Sequence, residues 1–511
     1  MKKSYIALAI GALAAGAAQA GVVTTSTGAA TLEVNPNGIG HKLVVPYYTV
    51  QNNNATLLNI VNHDQTNGKA VKIRFRGAAN SDDVFDFTLL LSPGDVWTAA
   101  ITADADGTAK LTTADNSCTL PAKADINRKF VTTRLDPYSS KSVAEQTREG
   151  YVEIINMADI TKNTATTSLW YAVKHNSSGV PNSCGSSVVT ALLDSSLIES
   201  STLSDYLARG LENPSTGLSA DWIIINQTTT AAWSGQATAL EARDAAGGRA
   251  EKANLVFFPQ IETEFGVSAT TAGQWTADPL LAGGTVKAQP FDFPDLSTPY
   301  SAAGATTANE LLVSTRTLAK TSVANEFVTS AEIAGATDFV FSQPLRRYYV
   351  AVNYMGGTDG KTATQVPLST SVGVPYGPGL TTVSDRVVCL VRSGSQPTFL
   401  SYTAFNREEA TLSGSTSAVV SPGGPGQTFR LCGEVAVTSI NAGSNTAPSA
   451  LGGTLARNNI ELPYADGWFR LDTDSNGSTS GGGLPIIGNA HLRAANGPVN
   501  YGFTWGHKYN Y

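Results

Sequence analysis

Asp472-Thr473-Asp474-Ser475-Asn476-Gly477 carries the sharpest chemical signal in the chain. Asp472, Asp474 and Asn476 offer side-chain oxygens at alternate positions, and Gly477 permits a tight turn, as in the first half of a calcium loop. The twelfth position, where an EF-hand closes with a bidentate Glu, is Gly483, so an EF-hand is excluded. Two readings stay open. The simpler is a solvated Asx-rich turn; the other is a shorter calcium loop completed by backbone carbonyls or remote carboxylates. Asp82, Asp83 and Asp86 form a second acidic group. A polar strand break beside Lys72, Arg74 and Arg76 explains them more simply than a hard-cation site does.

Catalytic patterns are scarce. His41, His63, His175, His491 and His507 form no H-E-x-x-H pair, and no G-x-S-x-G elbow is present. A Ser-His-Asp triad or paired carboxylates would leave no local signature, so a secreted hydrolase stays as a lesser alternative to a non-enzymatic protein. Tyr348-Tyr349 beside Arg346-Arg347 has the chemistry to stack on and hydrogen-bond a glycan or protein partner. The end of a core strand is the simpler reading of the same residues.

The stretch that must organise these groups runs from Asn52 to Ile101 and reads as an antiparallel meander. Val71, Ile73 and Phe75 alternate with Lys72, Arg74 and Arg76, a period of two that predicts one core face and three cations in water. Asn67-Gly68 is expected to turn the chain before this strand, and Ser92-Pro93-Gly94 to end the next one. The face bearing Lys72, Arg74 and Arg76 is a candidate partner surface, for an acidic patch on a neighbour or for anionic lipopolysaccharide. A plain solvated sheet face is the simpler expectation.

The N-terminus reads as a signal peptide: basic Lys2 and Lys3, an apolar run from Ile6 to Ala15, and an Ala18-Gln19-Ala20 cleavage site. Export to the surface or exterior of a Gram-negative cell is the expectation. The whole chain has a formal net charge of -7, and without Lys2 and Lys3 it has 32 cations against 41 anions. That balance argues against a nucleic-acid partner. Charged residues are only 15% of the sequence, which suits an exported β-protein rich in turns. Cys118, Cys184, Cys389 and Cys432 include no C-x-x-C pair, so structural disulfides are expected. Of three connectivities, Cys118–Cys184 with Cys389–Cys432 is preferred, because each bridge then closes a loop within one half of the chain.

The fold expected is mainly β, with antiparallel β-sandwich-like domains and a mixed, loop-rich middle containing one or two short helices. The boundaries are a signal peptide over 1–20, a first sandwich-like domain over 21–187, a mixed region over 188–330 and a C-terminal β-rich domain over 331–511. Tyr151 to Met157 and Ser168 to Lys174 are expected as strands. Leucines spaced mostly by four between Val188 and Leu211 predict a helix, and Ala237 to Ala245 a short one. Tyr501, Phe503, Trp505, His507, Tyr509 and Tyr511 alternate to the last residue, as in the final strand of an outer-membrane barrel. Contiguous apolar runs such as WIIIN and LVFF fit covered sandwich strands better.

A family resemblance rests on the 52–101 stretch, Asn254–Gln260 (NLVFFPQ), Thr337–Val350 (TDFVFSQPLRRYYV), Gly467–Asp472 (GWFRLD) and Gly483–His507. Together these look like a group of exported proteobacterial "cell surface proteins". The resemblance implies an extracytoplasmic location and a non-enzymatic surface role, and it supplies no catalytic residues. The function expected is therefore a structural cell-surface protein that self-assembles as an S-layer, fibre or matrix, with calcium as a stabilising ion. An adhesin or glycan-binding protein is the main alternative, and an outer-membrane channel a further one.

Overall fold

The structure is a computed structural model that describes residues 21–23, 29–132, 135–198, 200, 202–244, 246–257, 259, 317–367, 376, 380–390, 400–415, 431–441, 449–473 and 483–510. Among these, the chain is mainly β, with several antiparallel sheets and a few short helices. Four larger sheets carry the architecture, and the strand order of each is open among the described residues.

Sheet I has eight strands. Seven run in the spatial order Ala29–Val34, Thr238–Asp244, Lys42–Thr49, Glu149–Ile160, Gly68–Gly77, Asp83–Leu91 and Cys118–Leu120. The short Leu211–Glu212 pairs off the path with Glu149–Ile160. Sheet II orders Ala232–Gln236, Leu218–Asn226, Asn54–Asn62, Val96–Ala103 and Ala109–Thr112. Val71, Ile73 and Phe75 of sheet I join Leu58, Ile60, Trp97 and Trp222 of sheet II in one core. Gly150 fits the crowded centre of sheet I because a Cβ there would lie 1.7 Å from the Arg76 carbonyl oxygen.

The 52–101 stretch is not a simple meander. Gly68–Gly77 and Asp83–Leu91 do form a hairpin pair. Asn54–Asn62 instead pairs with Val96–Ala103 and Leu218–Asn226, so the Asn67-Gly68 segment carries the chain from one sheet to the other. Asn62 ties this crossover: its amide donates to the carbonyls of Asn67 and Ser92.

Three local expectations are corrected. Ser168 to Lys174 is not a strand, because Leu169–Val173 is a helix capped by the Ser168 hydroxyl, which accepts the Tyr171 amide at 3.1 Å. Leu169, Ala172 and Val173 then share a buried face, and five apolar residues suit either period. The 188–211 helix is broken into Ser187–Thr190, Ala191–Leu193, Ser195–Ile198 and Leu203–Leu207. Asp194 accepts hydrogen bonds from the amide and hydroxyl of Ser196, a local alternative that competes with helix propagation. Residues 237–245 hold the strand Thr238–Asp244, whose alternation is decided by pairing with Ala29–Val34 and Lys42–Thr49.

The same strands correct the expected boundary at 187. Segments from 211 to 244 complete sheets I and II, and Leu255–Phe257 pairs with Gly21–Val23, so the first unit reaches Phe257. The second unit contains sheet III, ordered Thr411–Ser415, Ser401–Phe405, Asp466–Asp472, Ser322–Val328 and Lys508–Asn510. Sheet IV is ordered Arg457–Ile460, Val435–Ile440, Ala336–Ser342, Ile487–Asn496 and Val499–Gly506, with the first pair parallel. Phe339 of sheet IV meets Phe469 of sheet III at 5.6 Å between ring centroids. The apolar core of this unit is continuous with that of sheets I and II. The preferred disulfides are both present: Cys118–Cys184 closes against the helical segment and Cys389–Cys432 lies within the second unit.

Candidate functional site

The expected surface of Lys72, Arg74 and Arg76 is overturned. All three are 0% exposed. Their face of sheet I holds acids at matching register: Arg74 lies opposite Asp86 on one side and Glu153 on the other, and Arg76 opposite Asp83. Lys72 pairs with Asp86. Glu153 Oε2 lies 3.5 Å from Arg76 Nε and 3.8 Å from Arg74 Nη1, while its Oε1 accepts Lys42 Nζ at 3.0 Å. Burial would raise the Glu153 carboxyl, but Lys42, Arg76 and Arg74 outweigh it and hold the group below the usual carboxylate range. Burial pulls Lys72 down to about 8 against the attraction of Asp86. Alternation alone could not separate a solvated cation face from this ionic layer, because Glu153 lies far along the chain. The local signal was the acids at 83 and 86, at strand spacing from the cations.

The second acidic group is engaged by side chains of the protein as well. Asp83 and Asp86 serve the ionic layer, and Asp82 accepts the Tyr354 hydroxyl at 2.7 Å. The Tyr348-Tyr349 patch is likewise corrected: Tyr349, Arg346 and Arg347 are 2%, 1% and 1% exposed, and the Tyr348 side chain lies outside the described residues. Arg347 donates to the Ser81 carbonyl at 2.8 Å and Arg346 to the Ala79 carbonyl at 3.1 Å, fastening the second unit to the first.

Of the calcium candidates, Asp474 and Asn476 lie outside the described residues. Asp472 ends its strand with one carboxylate oxygen 2.7 Å from Arg470 and the other accepting the Ser401 hydroxyl at 3.2 Å. An ion at Asp472 would have to compete with Arg470 for that carboxylate. Among the described residues no group of three His, Cys, Asp or Glu side chains is placed to hold a metal ion.

Polar contacts concentrate at the seam between the units. Trp233 Nε1 donates to the Leu492 carbonyl at 2.7 Å, and the Asn54 amide to the Leu451 carbonyl at 2.8 Å. Gln51 Oε1 accepts the amides of Thr454 and Leu455. Arg386 grips both oxygens of Asp136. Beside these contacts opens a cleft of about 260 Å³, lined by both units and including Lys141, Glu149, Asp385, Arg457 and the Cys389–Cys432 bridge. Burial raises the Glu149 carboxyl although its Oε2 accepts the Tyr47 hydroxyl. Elsewhere on the seam, His491 packs its ring 5.6 Å from Trp222 and 6.4 Å from Tyr47.

The C-terminal alternation resolves into two environments. Val499, Tyr501, Phe503 and Trp505 are 45%, 50%, 52% and 36% exposed along the outermost strand of sheet IV, whereas His507 is buried between Phe339 and Phe341. No protein-family model matches the chain, and no curated protein or solved structure matches it either.

Proposed function

We propose that the chain is a non-enzymatic structural subunit of a bacterial cell surface, exported by its N-terminal segment and assembling with copies of itself. The observation that carries this reading is the seam. Two β-units share one continuous apolar core and are cross-linked by buried arginines, Trp233 and Gln51. Such a body transmits load as one block, and with both disulfides it suits an exposed, oxidising setting. Calcium bound at Asp472, Asp474 and Asn476 would stabilise the subunit or a contact between subunits. Sedimentation of the purified full chain with added calcium and with chelator tests assembly. The reading expects particles much larger than one chain; a monomer in both conditions at high concentration removes it.

A glycan-binding surface protein is the second reading. It no longer rests on Tyr348-Tyr349 but on the exposed rings of the 499–506 strand.

A further inference from the structure

We propose that Tyr501, Phe503 and Trp505 form a platform that binds a linear, β-linked polysaccharide by stacking on the flat faces of its sugar rings. Every second residue of Val499–Gly506 is exposed, so these side chains share one face. Successive rings then recur about every 6.8 Å, giving a strip of roughly 14 Å from Tyr501 to Trp505. Their cross-strand neighbours are Ala494, Leu492 and Ala490, of which Leu492 and Ala490 are buried in the core, so the row stands at the margin of that core.

The back of the strand is anchored. Ser234 N donates to the Thr504 hydroxyl at 3.1 Å, and a Cβ on Gly502 would fall 2.2 Å from the Ala232 carbonyl oxygen. The rings are therefore presented on a fixed backbone, which lowers the ordering cost of binding. Polar groups border the Trp505 end: Asn325 donates to the Trp505 carbonyl at 2.9 Å and accepts from Lys508, which also pairs with Glu326.

The size of the patch selects the occupant. Aromatic side chains present roughly 150–250 Å² each, so rings about half exposed, with Val499, offer only about 300–400 Å². A stable protein interface needs about 800 Å² per partner, so the row alone is too small for a second copy of the chain. A narrow strip of π-faces with hydrogen-bonding groups at one end matches an extended sugar chain. Equatorial β-linkages keep successive ring faces in one ribbon, whereas α-linked chains coil away from a flat strip. This site does not depend on self-assembly and stands or falls separately from it.

Native affinity electrophoresis of the full chain tests the proposal, with hydroxyethylcellulose in one gel and dextran in another. Retardation by hydroxyethylcellulose and not by dextran is expected. Tyr501→Ser, Phe503→Ser and Trp505→Ser combined should weaken binding at least about tenfold. Trp505→Phe, which keeps a ring, should bind, and Trp468→Ser, at an exposed ring on sheet III, should bind like the parent. No retardation by hydroxyethylcellulose overturns the proposal, as does undiminished binding by the triple variant. Should the triple variant lose its fold, Trp505→Ser compared with Trp505→Phe decides: equal affinity of these two overturns the stacking role. A parent dimer that becomes monomeric in the triple variant also overturns it, because a second copy would then cover the row.

Discussion

Replacing His491 with Phe should make the protein more stable, and increasingly so as the pH falls. His491 is 0% exposed, and neither ring nitrogen has a hydrogen-bond partner among the described residues. Burial, with a smaller contribution from His507, lowers its pKa from 6.5 to about 3. Between those values the unfolded chain takes up a proton that the folded chain refuses. The stability is therefore fully present above about pH 6.5 and is lost progressively as the pH falls toward 3. The loss runs at about 1.4 kcal/mol per pH unit, or about 3 kcal/mol from this side chain by about pH 4.5. A neutral histidine also keeps one N–H donor unpaired, a cost of about 1–3 kcal/mol at any pH. Phe removes both terms and keeps the ring contacts with Trp222 and Tyr47. Urea unfolding followed by tryptophan fluorescence measures the effect. The variant should match or exceed the parent by about 1 kcal/mol at about pH 7.5, and exceed it by about 3–4 kcal/mol at about pH 4.5. Equal pH dependence in the two proteins would refute the titration argument. A variant less stable than the parent at both pH values would refute the unpaired donor. His41 and His507, lowered to about 3 and about 4 mainly by burial, will leave both proteins with residual acid sensitivity of the same sign.

Glu153→Leu should destabilise the fold by about 3–5 kcal/mol, because it strands Lys42, Arg74 and Arg76 in the buried ionic layer. Equilibrium unfolding reads this, and a loss below about 1 kcal/mol would show that the layer is hydrated. Cys389→Ala with Cys432→Ala should cost about 2–4 kcal/mol, and unchanged unfolding midpoints would dismiss the bridge as a stabiliser. Calcium should raise the melting temperature of the parent, and Asp472→Ala should abolish that shift; identical melts with calcium and with chelator would remove calcium from the account.

Much of the β architecture was legible because alternation is a local signal. Val71, Ile73 and Phe75 do face a core, and Tyr151 to Met157 and the WIIIN run do lie in strands. The other side of the same alternation misled. Arg74 and Arg76 are buried because Glu153, on a strand brought alongside from far along the sequence, supplies counter-charge, while Lys72 is paired with Asp86 on the neighbouring strand. Period-four leucines at 193–211 were overruled by serine and aspartate side chains that cap short turns. Thr238–Asp244 became a strand through its partners, a tertiary decision that propensity does not contain. The exposed ring row was visible as alternation, but only the structure separates Tyr501, Phe503 and Trp505 from buried His507.

The proposed role is that of a structural subunit assembled on the cell surface. Electron cryotomography of native cells, with the chain tagged by an electron-dense label, tests it most directly. Label is expected in a repeating lattice or filament outside the outer membrane. Label confined to the cytoplasm or periplasm, or scattered singly over a bare surface, would contradict it.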